Sequence, residues 1–165
     1  MKVDEIYLGN PNLKKANVQQ EFTKEQILEF VACKEDPVYF AKRHVKIVSL
    51  DEGLTPFKPY HFQEKLITNF HENRFNICKM PRQTGKSTTV VAYLLHYAVF
   101  NDSVNIGILA NKAATARELL SRLQTAYENL PKWMQQGIIS WNKGSLELEN
   151  GSKILAASTS ASAVR

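Results

Sequence analysis

Cysteine is scarce in this chain, and long apolar runs are absent. Its 165 residues include two cysteines, Cys33 and Cys78, whose separation offers no metal-ligand spacing and points to a reducing, cytosolic setting. No stretch approaches the roughly twenty apolar residues that span a bilayer. The opening Met1-Lys2-Val3-Asp4-Glu5 lacks the apolar core of a secretory signal, so membrane and export classes fall away. With 44% hydrophobic and 22% charged residues, the length suffices for one sizeable core and is short for two ordinary domains. The net charge of +5 favours a polyanionic partner, although the same excess suits a plain soluble surface.

The segment most specific to a chemistry is Met80-Pro81-Arg82-Gln83-Thr84-Gly85-Lys86-Ser87. It approximates G-x-x-x-x-G-K-[ST], in which loop amides wrap phosphates, the lysine meets the terminal phosphates and the hydroxyl holds magnesium. Met80 replaces the first glycine, which normally permits a tight turn with positive φ, so this loop must leave its preceding element differently. The flanks fit the motif. Phe75 to Met80 reads as a short buried strand containing Cys78, and Ser87 to Phe100 as an apolar helix with Val90, Val91, Leu94, Leu95 and Val99. A helix starting near Lys86 aims unpaired amides and a positive dipole end at an anion. The bland alternative is a basic loop that caps a helix by chance.

Elsewhere the pattern alternates between helix and strand. Tyr7 to Gln20 is polar, with Gly9 and Pro11, and reads as an extended arm or linker. Thr23 and Gln26 form a capping-box pair ahead of Ile27, Phe30 and Val31, in a helix ending near Glu35. Asp36-Pro37 starts a second helix, followed by the β-branched run Val45 to Val48 and a turn at Asp51-Glu52-Gly53. Tyr60 to Glu72 places Phe62, Leu66, Ile67 and Phe70 on one helical face. Asn105 to Ala110 reads as a second parallel strand, and Ala113 to Leu130 as its crossover helix, with Leu119, Leu123 and Tyr127 inward. Pro131 opens a short turn or helix. The tail alternates at Ile138 to Trp141, Ser145 to Glu149 and Ser152 to Leu155, with a hairpin signal at Asn150-Gly151.

Together these features resemble the large terminase subunit of tailed bacteriophages, in its contractile-tail branch. The resemblance is carried by Pro11 to Asn17, Tyr39-Phe40-Ala41, Phe62-Gln63 and Arg82 to Ser87, and by Gly107 to Ala110, Trp141 to Ser145 and Ala163-Val164-Arg165. It implies an α/β P-loop NTPase of the RecA-like (ASCE) kind, a parallel sheet flanked by helices and incomplete at its C-terminus. Residues 1–50 would form an amino-terminal arm and helical segment, and residues 51–165 the first part of the ATPase domain.

The family's function would be an ATP-driven motor that moves DNA into a capsid, in the host cytoplasm and with no membrane. Its partners would be double-stranded DNA, the portal and the small terminase subunit, and its cofactors ATP and Mg2+. The resemblance makes Phe62 a stacking ring for adenine and Gln63 the amide that reads the base edge, although Phe62 on a helical face serves core packing equally well. Arg82 would sense or stabilise the γ-phosphate, against the alternative of a surface salt bridge. Gln83, Thr84, Gly85, Lys86, Ser87 and Thr88 would complete the cradle, with Lys86 on the phosphates and Ser87 on the metal. Arg165 matches an arginine that reaches into a neighbouring subunit's site.

Hydrolysis also needs an aspartate for magnesium and a glutamate for the attacking water, at the end of an apolar strand. Asp102, Glu118, Glu147 and Glu149 do not stand in such a strand and read as solvated charges. The coupling motif and nuclease domain of the family are not matched. The expectation is therefore an amino-terminal piece whose remaining strands come from a second chain. Two other readings stand beside it: a non-catalytic nucleotide-binding regulator, and a fragment of a superfamily 2 helicase. Lys14, Lys15, Lys42, Arg43 and Lys46 suggest a basic surface, with solvated arm and helix charges as the alternative.

Overall fold

A computed structural model of the protein describes residues 5–49 and 51–159. Arg165 and its neighbours Ala163 and Val164 lie outside the described residues. In chain order the elements are β1 (Ile6–Tyr7), β2 (Asn10–Lys14), α1 (Lys24–Glu35), α2 (Pro37–His44), β3 (Lys46–Ser49), β4 (Gly53–Pro56) and α3 (His61–Glu72). They continue with α4 (Lys86–Phe100), β5 (Asn105–Ala110), α5 (Ala113–Glu128), β6 (Ile138–Trp141), β7 (Ser145–Leu148) and β8 (Lys153–Ser158).

The two amino-terminal helices start where the sequence chemistry requires. Thr23 Oγ1 accepts from the Gln26 amide at 3.2 Å while the Gln26 side chain accepts from the Thr23 amide at 3.0 Å, closing the capping box of α1. Asp36 Oδ1 accepts from the amides of Val38 and Tyr39 at 2.8 and 2.9 Å, and Pro37 occupies the first turn of α2. α4 is apolar on most of its circumference, so it is the buried centre: Val91, Ala92, Leu95, Ala98, Val99 and Phe100 are all in the core, against α2, α3 and α5.

The main sheet is mixed, with the order β5-β8-β7-β6. Only β5 and β8 are parallel; β7 runs antiparallel to both β8 and β6. The expectation of a parallel sheet is corrected accordingly, because the tail strands are joined by short turns, which can connect only antiparallel neighbours. The Asn150-Gly151 turn joins β7 to β8, with Gly151 at φ +81°. It also closes the end of α4: Asn150 Nδ2 donates to the carbonyls of Ala98 and Asn101 at 2.9 and 3.0 Å. α5 covers one sheet face, over Ile106, Ile108 and Ile154. The opposite face leaves Leu109 and Leu155 about half exposed.

Two further expectations need correction. Phe75 to Met80 belongs to no strand; Phe75 and Ile77 are exposed and Cys78 is a free, exposed thiol rather than a core residue. An apolar segment becomes a strand only with a hydrogen-bonded neighbour, and among the described residues this one has none. The polar arm is docked rather than loose. β1 and β2 pair, Leu13 and Lys14 are buried, and the Gln135 side chain accepts from the Lys14 amide and donates to the Asn12 carbonyl. The run at 45–48 has a partner that its sequence does not announce, β4, which forms a hairpin with β3.

One buried group makes the core sensitive to acid. His96 on α4 donates from Nε2 to the Cys33 carbonyl at 2.8 Å, while Nδ1 is buried without a partner among the rings of Phe40, Tyr93 and Phe100. Burial pulls the imidazole from its ordinary 6.5 down to about 4. Between those values the unfolded chain binds more protons than the folded one, so stability is lost as the pH falls through that window. The loss at pH 5 amounts to about 2 kcal/mol. Urea unfolding at neutral pH and at pH 5 should show this loss in the parent protein and a smaller one in His96→Gln. An undiminished loss in that variant would show that His96 is not its source.

Candidate functional site

The loop before α4 is built on two left-handed residues. Gln83 has φ +62° and Gly85 has φ +74°, and the turn they make delivers the chain directly into α4. Thr89 is the first residue whose amide enters the helix, donating to the Gly85 carbonyl at 2.9 Å; its hydroxyl donates to the same oxygen at 3.0 Å. The amides of Lys86, Ser87 and Thr88 therefore precede the first intrahelical bond and stand at the positive end of the helix dipole.

The loop is held from behind by α3. Gln63 is buried, accepts from the Tyr60 amide through Oε1 at 2.9 Å and donates from Nε2 to the Thr84 carbonyl at 3.2 Å. A single amide thus joins the start of α3 to the loop. Gln63 Nε2 also fills the space beside Gly85 so closely that a methyl group on Gly85 would overlap it. Thr84 Oγ1 donates to the Pro81 carbonyl at 3.1 Å and tightens the same turn.

Lys86 folds back over the loop. Its Nζ donates to the Met80 carbonyl at 2.9 Å and to the Pro81 carbonyl. Met80, where the general motif has glycine, thus contributes its carbonyl to the lysine rather than a positive-φ turn. Two neutral carbonyls are modest acceptors for an ammonium group, and an anionic oxygen would form the stronger charge-assisted bond. Ser87 is exposed and Thr88 half-buried, so the serine hydroxyl is open to solvent at the mouth of the loop. Arg82 and Gln83 are exposed.

Phe62 corrects the expectation that it lies on the packed face of α3. That face is formed by Gln63, Leu66 and Ile67; Phe62 is 44% exposed and stacks on the exposed ring of Tyr60, with centroids 5.8 Å apart and planes 10° apart. Tyr60, which no motif singles out, therefore adds a second ring beside Gln63. The structure brings Phe62, Gln63, Thr84, Gly85 and Lys86 to one place.

A polyphosphate fits this arrangement on three counts: the side-chain-free left-handed turn at Gly85, the free amides that follow it, and an ammonium held only by carbonyls. Three of the four carboxylates considered for hydrolysis are engaged elsewhere. Glu118 pairs with Arg122 at 2.6 Å, Glu147 with Lys153 at 2.9 Å and Glu149 with Lys14 at 3.5 Å. Lys14 is thereby buried rather than part of a basic surface, and Lys42 is paired with Glu64 at 2.6 Å.

Among the described residues, no helix is long and apolar enough to cross a membrane. A family model for the terminase large subunit, T4likevirus-type, N-terminal, matches residues 77–165. The match takes in the whole loop from Met80 to Ser87, α4, β5, α5 and the antiparallel tail strands, and leaves Phe62 and Gln63 outside it. With more than half of its length matched, the chain belongs to the T4likevirus-type terminase large subunit family, to the N-terminal part of that subunit.

Proposed function

We propose that this chain is the ATP-binding part of a phage DNA-packaging motor, with a P-loop NTPase fold of the RecA-like kind over residues 51–165. Residues 1–50 act as an amino-terminal arm and helical segment. The observation that carries the reading is the left-handed Gly85 turn, locked by buried Gln63, that opens onto the amides of Lys86, Ser87 and Thr88. ATP supplies a high-energy phosphoanhydride, and Mg2+ shields its oxygens.

Lys86 leaves the Met80 and Pro81 carbonyls for the terminal phosphates, and the Ser87 hydroxyl holds the metal. Gln83, Thr84 and Thr88 border the phosphates, with Gln63 and the rings of Phe62 and Tyr60 at the base end. Arg82, exposed at the loop, acts on the γ-phosphate. Arg165 is proposed, from the family alone, to serve a neighbouring subunit's site. The partners are double-stranded DNA, the portal and the small terminase subunit, in the host cytoplasm.

The second reading, a nucleotide-binding regulator without turnover, draws on the salt bridges that occupy Glu118, Glu147 and Glu149. Both readings require binding at Lys86. Titrating ATP with Mg2+ into the purified chain should give saturable 1:1 binding, weakened roughly 10- to 100-fold by Lys86→Ala, as loss of a charged hydrogen-bond donor implies. Equal affinity in the variant, or no saturable binding to the parent, would overturn both. Turnover by the bound chain would favour the motor, and binding without turnover the regulator.

A further inference from the structure

At the joint between α1 and α2, far along the chain from the loop, three side chains of different chemistry converge. Glu29 and Cys33 are one turn apart on α1, and His44 is the last residue of α2. Their carboxylate oxygen, sulfur and ring nitrogen all lie within 4.8 Å of one another. Cys33 Sγ is 3.8 Å from Glu29 Oε1, and His44 Nε2 is 2.7 Å from the same oxygen. Cys33 is fully buried, while Glu29 and His44 are partly so. We propose that Glu29, Cys33 and His44 form a binding site for a single zinc ion.

The ligand set selects the ion. Sulfur and imidazole nitrogen disfavour magnesium and calcium, which take oxygen, and a mixed S, N, O set at a tetrahedral centre suits zinc. Zinc sits about 2.0 to 2.3 Å from such atoms, so its ligands lie roughly 3 to 4 Å apart. The sulfur–oxygen separation already meets this, and the His44 ring has to withdraw by a few tenths of an ångström from the oxygen it now touches. Three protein ligands leave a fourth position for water.

The surroundings hold the ligands in orientation. Tyr39 Oη donates to the other Glu29 oxygen, Oε2, at 2.9 Å, which fixes the plane of the carboxylate. The His44 ring is bracketed by Phe40 and by the edge of Trp133, with centroids 6.2 and 6.3 Å away. Arg43 is an opposing charge, its Nε 3.7 Å from Glu29 Oε1; its side chain is 66% exposed and swings into solvent when the ion takes its place. Loading sends the Cys33 thiol proton to solvent and forms a sulfur–zinc bond. The ion would clamp α1 to α2 at the point where the chain enters β3. The two-cysteine spacing gives no hint of this site, because its other ligands are a glutamate and a histidine.

The test uses the full chain, stripped with a chelator and then titrated with Zn2+ against a chromophoric competitor, and separately with Co2+. The expected result is one ion per chain, a thiolate-to-cobalt charge-transfer band and an intense tetrahedral visible spectrum. Cys33→Ser and His44→Gln should each lose more affinity than the roughly 10- to 100-fold that a missing outer-shell partner costs. Cys78→Ser, which removes the exposed thiol, should bind as the parent does. A cobalt spectrum without the thiolate band would overturn the proposal in the parent protein itself, whatever the folding of the variants. Parent affinity no higher than that of Cys33→Ser, or loss of the ion in Cys78→Ser, would overturn it equally.

Discussion

Gly85→Ala should leave the chain folded and remove most of its ATP affinity. At φ +74° an alanine costs on the order of 1–2 kcal/mol relative to its preferred conformations. The added methyl also meets Gln63 Nε2. The amide cannot retreat cheaply, since Gln63 is buried and committed to both Tyr60 and Thr84. Relief therefore comes from the loop, which swings away from α3 and misdirects the amides of Lys86 and Ser87. The combined cost, about 2–3 kcal/mol, corresponds to a loss of roughly 30- to 150-fold in nucleotide affinity. Gly107→Ala is the matched control, because a Cβ there meets nothing within 4 Å. Equal ATP affinity in Gly85→Ala and Gly107→Ala would show that the turn does not organise the ligand's contacts.

The largest effect on folding should come from Gly137→Ala. A Cβ at this position would stand 2.5 Å from Ala16 Cα and 2.5 Å from Glu149 Oε2. One obstacle is backbone, and the other is a carboxylate that has no freedom to move. Glu149 accepts from the amides of Gly137 and Asn17 at 2.6 and 2.9 Å, and pairs with Lys14 at 3.5 Å. Gly137 is thus the point where the amino-terminal arm crosses the entry to β6, beside the bridge between Lys15 and Ile138. Overpacking here should cost about 3 kcal/mol, or roughly 10 °C in Tm, and should detach the arm. Hydrogen exchange would find Leu13 and Lys14 amides losing protection; unchanged stability and protection would mean that the arm is not fastened at Gly137.

What was legible in the sequence was whatever is governed locally. The capping box at Thr23 and Gln26, the Asp36-Pro37 start and the Asn150-Gly151 turn each involve groups only a few residues apart, and all three stand in the structure as read. The helix after Gly85 was equally plain, since its apolar content leaves no polar face for solvent. The structure departs from the sequence expectation where the outcome depends on distant partners. Phe75 to Met80 has the composition of a buried strand, but a strand exists only beside another, and its composition carries no information about that neighbour.

Phe62 stands off the packed face of α3 for a related reason. Helical spacing groups it with Leu66, yet the buried face of α3 is rotated to bring Gln63 inward, toward the Thr84 carbonyl. A buried glutamine three residues after Tyr60 reads as polar surface until the loop that satisfies it is in place. The Glu29, Cys33 and His44 cluster was hidden because His44 reaches α1 only through the turn between two helices. The docking of Leu13 and Lys14 was likewise invisible, because the side chain that receives the arm, Gln135, is more than a hundred residues away.

The turn at Gly85 and the amides that follow it are proposed to hold the phosphates of a nucleotide. The most direct measurement follows the backbone amide resonances of the isotope-labelled chain while ATP and Mg2+ are added. The largest shifts should fall on Gly85, Lys86, Ser87 and Thr88, with smaller ones at Tyr60, Phe62 and Gln63, and Lys86→Ala should remove them. Saturable shifts centred elsewhere, or none at these four amides at saturating ATP, would contradict this role.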